Sequence, residues 1–197
     1  MKIILLILLF VPMVLFAQEE NKSSRIKLDY NASYYGNNLW NPGLKFGAEY
    51  VFHKNVVEKV KKKKTKTKTH LFLINGDLGF FWDPKDYTAL FSYYGVTYRK
   101  INTKGFNYNF GLSPLGVFRS FLSETYEVKD DGSIQKVFLP GRFYYAPTFV
   151  MGIGKNRKEK RINAWFLNVS AITLIKYNAD FVPLINIEFG FRFDLSK

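Results

Sequence analysis

From Ile185 to Leu195 the chain reads INIEFGFRFDL. Ile185, Ile187, Phe189, Phe191, Phe193 and Leu195 alternate with Asn186, Glu188, Gly190, Arg192 and Asp194. A β-strand sends successive side chains to opposite faces, so this segment has one wholly apolar face and one polar, charged face. A helix, with its period of 3.6, cannot make that division. A strand that crosses a bilayer needs roughly 9–11 residues, which this segment supplies. Its apolar face thus suits either a protein core or lipid.

The same period of two recurs along the chain. Eight strands are predicted, at 26–35, 44–52, 70–82, 87–100, 105 to about 127, 136–154, 162–176 and 185–195. In the first, Leu28, Tyr30, Ala32 and Tyr34 oppose Lys27, Asp29, Asn31 and Ser33. In the third, Phe72, Ile74, Leu78, Phe80 and Trp82 oppose Asn75, Asp77 and Gly79. The fourth has less distinct faces, with Leu90, Tyr94, Val96 and Tyr98 assigned outward. In the fifth, Ser113-Pro114-Leu115-Gly116 breaks the phase. Proline cannot donate to a ladder and glycine favours a bulge, so a kink is expected there. Turns are placed at GNNLWNPG, which is dense in Asn, Gly and Pro, and at DPKD, NTKG, KDDG, NRKEKR and YNAD. No helix-period stretch of useful length follows the N-terminus. Short connections between sequential strands imply antiparallel, up-and-down order.

Residues 1–17 read as a secretory signal: Lys2 is a positive n-region, Ile3 to Phe16 an apolar run, and Ala17 the cleavage residue. Residues 18–24 form a short polar segment, and 25–197 the single folded domain. Cysteine is absent, so an exported domain must hold itself by burial or by a closed hydrogen-bond network. Aromatics make up 18 % of the chain and cluster near predicted strand ends, as at Tyr34, Phe52, Trp82, Tyr98, Trp165 and Phe193. That placement suits interfacial girdles. The faces opposite the apolar ones are rich in Gly, Ser, Asn and Ala, unlike the Lys and Glu of a solvated surface. The fold expected is all-β, an eight-stranded antiparallel up-and-down transmembrane β-barrel. In lipid every backbone polar group must pair internally, so the first and eighth strands must close on each other.

This combination of signal, eight alternating strands and aromatic-rich last strand resembles the small eight-stranded outer-membrane barrels of Gram-negative bacteria, the OmpA-domain and OmpX type. The Lys/Asn/Tyr-rich style looks like that of a Bacteroidota protein. The resemblance covers the whole mature chain and rests on pattern. One departure is that Phe193 is followed by Asp194-Leu195-Ser196-Lys197, where that class ends on an aromatic. The resemblance implies outer-membrane localisation, both termini periplasmic, and a lumen just filled by side chains.

Two sets of residues are candidate sites. Lys27, Asp29, Lys45, Glu49, Asp77, Arg142, Glu188, Arg192 and Asp194 fall on lumen faces and carry both signs. Buried charges are tolerated when paired, so they are expected to form a network that plugs the lumen; a narrow path for water or ions is the alternative. From Lys54 to Thr69 the chain carries eight lysines and one glutamate. Lys59, Lys61, Lys62, Lys63, Lys64, Lys66 and Lys68 form a self-repelling basic loop, either disordered or a hairpin extension, with the Lys-Thr alternation at 64–69 able to prolong the third strand. On the periplasmic side it could dock an anionic partner such as lipid phosphates, an acidic protein or a cell-wall polymer. Without Lys2 the chain has 28 Lys and Arg against 16 Asp and Glu, about +12. Nucleic acid is a poor partner for an exported chain with no aromatic-interleaved basic motif.

Catalytic signals are thin. The absence of cysteine excludes a thiol nucleophile and thiolate metal ligands. His53 and His70 bracket the basic loop, with Ser120, Ser123 and Glu124 predicted at the other end of strand five. No metal or cofactor is expected. The function read from the sequence is a non-enzymatic barrel with a structural, adhesive or docking role, in contact with outer-membrane lipid and of undetermined oligomeric state. A lipid-modifying hydrolase or acyltransferase, or a narrow channel, is the alternative; a soluble periplasmic lipid-binding barrel is the third reading.

Overall fold

The computed structural model describes residues 28–37, 41–61, 64–83, 87–122, 125–138, 140–156, 162–177 and 180–194. The predicted signal, the 18–24 segment, Lys27, Lys62, Lys63, Ser123, Glu124 and Leu195 lie outside them.

Eleven strands are described: β1 (Leu28–Asn37), β2 (Gly43–Lys61), β3 (Lys64–Trp82), β4 (Tyr87–Ile101), β5 (Phe106–Leu122), β6 (Tyr126–Val128), β7 (Ile134–Lys136), β8 (Phe143–Tyr145), β9 (Thr148–Asn156), β10 (Ile162–Tyr177) and β11 (Asp180–Asp194). All pairings are antiparallel: β1 to β5 pair in order, β5 pairs with β8 and β9, both of these pair with β10, and β10 pairs with β11, which returns to pair with β1. Closure runs from Asp29↔Asp194 to Asn37↔Asn186. The result is a ring of eight staves, as predicted, with β8 and β9 together forming the sixth.

Polarity is inverted relative to a soluble domain. Phe46 is 55 % exposed and Phe110 52 %, whereas Glu188 is 0 % and Arg99 2 %. The outward row of β11, Ile185, Phe189 and Phe191, is exposed, and Asn186, Glu188 and Arg192 are buried. The predicted faces of the third strand hold: Phe72, Ile74, Leu78, Phe80 and Trp82 point outward, Asn75 and Asp77 inward.

Two places interrupt the regular staves, the first as predicted and the second not. The kink at Ser113-Pro114 is present. The register against β4 steps from Tyr94↔Leu115 to Val96↔Leu112, so β5 carries an extra residue there. Exposure accordingly passes from even positions (Tyr108, Phe110, Leu112) to odd ones (Leu115, Val117). Further on, the ends of the predicted fifth and sixth strands do not belong to the wall. Residues 126–128 and 134–136 pair with each other as a separate hairpin, β6–β7. Its Asp-Gly turn is closed by Gly132 at φ 80°, a left-handed conformation glycine adopts without strain. The sixth stave starts only at Phe143 and is interrupted at Ala146-Pro147, where proline withholds a donor.

The lumen has two halves. At the end where β1 ends and β11 begins it is filled by Tyr35, Phe81, Phe91, Phe118, Ile172, Leu174 and Leu184. Ring centroids there lie 4.6 Å apart for Tyr35–Phe91 and 5.9 Å for Phe81–Phe118. At the other end, where β1 begins and β11 ends, the lumen is polar, and this half holds the first candidate site.

Candidate functional site

Six charged side chains are buried among the described residues: Lys45, Glu49, Asp77, Arg99, Glu188 and Arg192. Each stands at an inward position because alternation along its stave puts it there. Three are basic and three acidic, so the network is formally neutral. Lys45, on β2, places its Nζ 2.7 Å from Glu188 Oε1, 3.1 Å from Asp77 Oδ1 and 3.1 Å from the Tyr93 hydroxyl. Ser33 donates to Glu188 Oε1 at 2.7 Å and Asn168 to Oε2 at 3.0 Å, so both carboxylate oxygens are engaged. Asn75 donates to Asp77 Oδ2 at 2.9 Å.

The second cluster centres on Glu49. Arg99 Nη2 donates to both of its oxygens, at 2.8 and 2.7 Å, while Arg99 Nε reaches Asn109 Oδ1 at 2.7 Å. Arg192 Nε lies 3.2 Å from Glu49 Oε2, its guanidinium 4.5 Å from the Phe166 ring centroid. The two clusters tie β2, β3, β4 and β11 together across the lumen. Opposing glycines make room: a Cβ on Gly47 would stand 2.2 Å from Asp77 Oδ1, and one on Gly152 1.9 Å from Asn168 Oδ1. The cavity left between Asn31, Glu49, Arg99, Asn109 and Arg192 is about 30 Å³. One or two water molecules fit such a space, which needs about 10–15 Å³ for each.

Of the predicted lumen residues, Lys45, Glu49, Asp77, Glu188 and Arg192 come together. Asp29 is half-buried at the mouth, between Glu49 and Asp194 in register. Arg142 is a correction: it is exposed and lies before β8 begins, its backbone N–H 3.3 Å from Ser120 Oγ. The break at Ala146-Pro147 and the diversion of the chain into β6–β7 shorten the stave that was to carry Arg142 inward. Arg99 was missed. Its signal is parity, because it alternates with the outward Tyr98 and Val96, but the mixed faces of the fourth strand hid it.

The basic segment is the second candidate site. It is no loop: β2 and β3 continue as a paired ribbon to Lys61↔Lys64, the hairpin extension that was one of the two expectations. The extra residue Phe52 forms a bulge at its foot, between Val51↔Leu73 and His53↔Phe72. Beyond Tyr50 no described residue of β1 pairs with β2, and β4 pairs with β3 only from Thr69 onward. The ribbon therefore stands clear of the wall at the end where β1 begins and β11 ends. Its base is held by Thr67 N–H donating to Thr103 Oγ1 at 2.9 Å and Thr103 Oγ1 donating to the Thr67 carbonyl, also at 2.9 Å.

His70 Nδ1 lies 2.6 Å from the Tyr98 hydroxyl at this same end. Ser120 is at the opposite end, beside Arg142. Among the described residues no cluster of three His, Cys, Asp or Glu could hold a metal ion.

No family model matches the chain, and no curated protein matches its sequence. Solved structures with a similar trace include the outer membrane enzyme PagL, at TM-score 0.46 and 9 % identity over 85 % of this chain and 99 % of that one. Ail, the attachment invasion locus protein of Yersinia pestis, is similar at TM-score 0.35 and 13 % identity over 85 % and 95 %. Its complex with the heparin analogue sucrose octasulfate gives TM-score 0.34 and 14 % identity over the same shares. The identities are too low for the likeness to assign a role.

Proposed function

We propose that this chain is a non-catalytic outer-membrane barrel with a structural and docking role, its lumen closed and its basic ribbon offered to an anionic partner in the periplasm. The observation that carries the reading is the inverted polarity. Large apolar side chains are exposed on the outer face of the staves, while six charged side chains are buried inside. An outer face this rich in exposed apolar residues supports contact with lipid. A closed ring leaves no sheet edge in the hydrocarbon. An even number of staves puts both termini on one side, the periplasmic one in single-chain bacterial barrels.

A channel is disfavoured by the ring-filled half of the lumen and by a cavity sized for one or two waters. Catalysis by a Ser–His pair is disfavoured because His70 and Ser120 stand at opposite ends of the wall. The test is migration on gels with and without heating, together with recovery from membranes. The protein should need detergent and should migrate faster unheated than boiled. A protein that stays monodisperse in buffer without detergent would overturn the reading. Planar bilayers containing it should show no conductance.

A further inference from the structure

The ribbon's lysines do not project at random. β3 has no bulge, so Lys66, Lys68 and His70 share the outward face of Phe72 and Ile74. On β4, Lys100 shares the face of Tyr98 and Val96 and stands opposite His70 in register. On β9, Lys155 shares the outward face of Ile153 and Met151 and stands opposite Trp165 and Phe106. Lys66, Lys68 and Lys155 are exposed and Lys100 half-buried. Among the described residues none of the four has an ion-pair partner. Glu58, the ribbon's acid, pairs with Thr67 and so belongs to the other face.

Depth follows from strand geometry. Phe52, Phe72, Tyr98 and Tyr108 form an outward aromatic girdle at this end, with Phe72 5.2 Å from Tyr98 and 6.3 Å from Phe52 between ring centroids. A strand rises about 3.3 Å per residue and tilts by about 40° in a barrel, so each residue descends roughly 2.5 Å along the membrane normal. Lys100 thus lies about 5 Å beyond the girdle and Lys68 about 10 Å. The headgroup layer is roughly 5–8 Å thick on each side of the hydrocarbon. Lys66, about 15 Å beyond the girdle, stands within about a Debye length, roughly 8–10 Å, of that layer and is drawn by its charge.

We infer that Lys66, Lys68, Lys100 and Lys155 form a belt that binds the phosphodiester headgroups of anionic phospholipids in the leaflet nearest the termini. The inference rests on the membrane reading above and names the ribbon's partner as the lipid surface itself. Continuity with the lipid-facing girdle favours this over a soluble acidic polymer or protein, which would not require the lysines to stay on the wall's outward face. Each lysine near an anionic surface is worth about a fivefold gain in association at low salt, less as salt screens it.

The test uses the full mature protein in nanodiscs of phosphatidylcholine with a minority of phosphatidylglycerol. Lipids retained after release are counted by native mass spectrometry. The wild type should be enriched in phosphatidylglycerol, and the enrichment should fade with salt. The combined Lys66→Gln, Lys68→Gln, Lys100→Gln, Lys155→Gln variant should fall to the bulk ratio. The matching Lys→Arg variant should keep the enrichment, which separates charge from folding. Lys54→Gln, on the opposite face by its pairing with Leu71, should change nothing. No enrichment in the wild type, an unchanged ratio in the Gln variant, or an equal loss from Lys54→Gln would each overturn the inference. So would tight binding of a soluble acidic polymer without phosphatidylglycerol enrichment. A protein that enters no bilayer would instead refute the membrane reading, so the two failures are distinct.

Discussion

Phe91 and Glu49 point into the same barrel but answer to different physics. Around Phe91 the lumen closes by shape: Tyr35, Phe81 and Phe118 fill the ring, and contacts are non-directional. Around Glu49 it closes by charge, with Arg99 and Arg192 converging on one carboxylate at fixed angles. The first half should tolerate substitutions that conserve volume. The second should tolerate almost none that remove one member, because the remainder is left buried and uncompensated. A barrel built both ways gains a seal from one half and cross-lumen ties between staves from the other.

The largest effect should come from Glu49→Ala, which strands two guanidinium groups. Removal of one member of a buried pair costs about 3–5 kcal/mol. The readout is the denaturant midpoint of the protein in micelles. A loss below about 1 kcal/mol would equate the cluster with an exposed surface pair and break the comparison.

Phe91→Ala should follow, toward the lower end of about 3–5 kcal/mol, because Phe81 and Tyr93 can lean into part of the space. It also tests whether either half seals alone. Neither Phe91→Ala nor Glu49→Ala should conduct in planar bilayers, because the other half still closes the lumen. Conductance in one of them would place the whole seal in the half that it disrupts.

A smaller loss is expected for Gly79→Ala. The added Cβ would stand 2.4 Å from Phe91 Cζ, within the ring-filled half. Overpacking of this kind costs about 1–3 kcal/mol. A neutral outcome, read as the temperature at which the compact gel band is lost, would show the rings to be loosely packed.

The smallest effect lies outside both halves, in the β6–β7 turn, and serves as a control. Ser133 donates from its hydroxyl at 2.6 Å and its backbone N–H at 2.9 Å to Asp131 Oδ1, which holds the Asp131 carboxyl below its ordinary range. A carboxyl lowered in the folded state stabilises above its unfolded pKa and loses that contribution as pH falls through the folded value. Acid titration followed by the Ser133 amide resonance should therefore show a midpoint below that of an unstructured aspartate. The gel band of the barrel should not respond over that range.

Much of this was legible because alternation is local. Glu49, Asp77, Glu188 and Arg192 each sit between outward apolar neighbours, and parity alone sends them inward. Pro114 marked its own bulge, since a missing N–H is a property of the residue. Arg99 was not legible as a lumen charge, because TALFSYYGVTYRK has aromatic residues on both faces. Nor was the exposure of Arg142, which depends on where the sixth stave begins and hence on the separate β6–β7 pairing. The lysine ribbon shows the limit from the other side. Its composition opposes order, with Lys59↔Lys66 and Lys61↔Lys64 in direct register, yet it continues a hairpin already anchored in the wall.

The sequence by itself determined the number of staves, the inward or outward sense of most side chains, and the presence of both charge signs in the lumen. Each follows from a period of two within a dozen neighbouring residues. Only the tertiary structure decided which charges meet. Lys45 joins Glu188 from β11 across Ser33 of β1, and Glu49 of β2 receives Arg99 from β4. Those partners are set by ring closure and by the stagger between staves, which no single strand encodes.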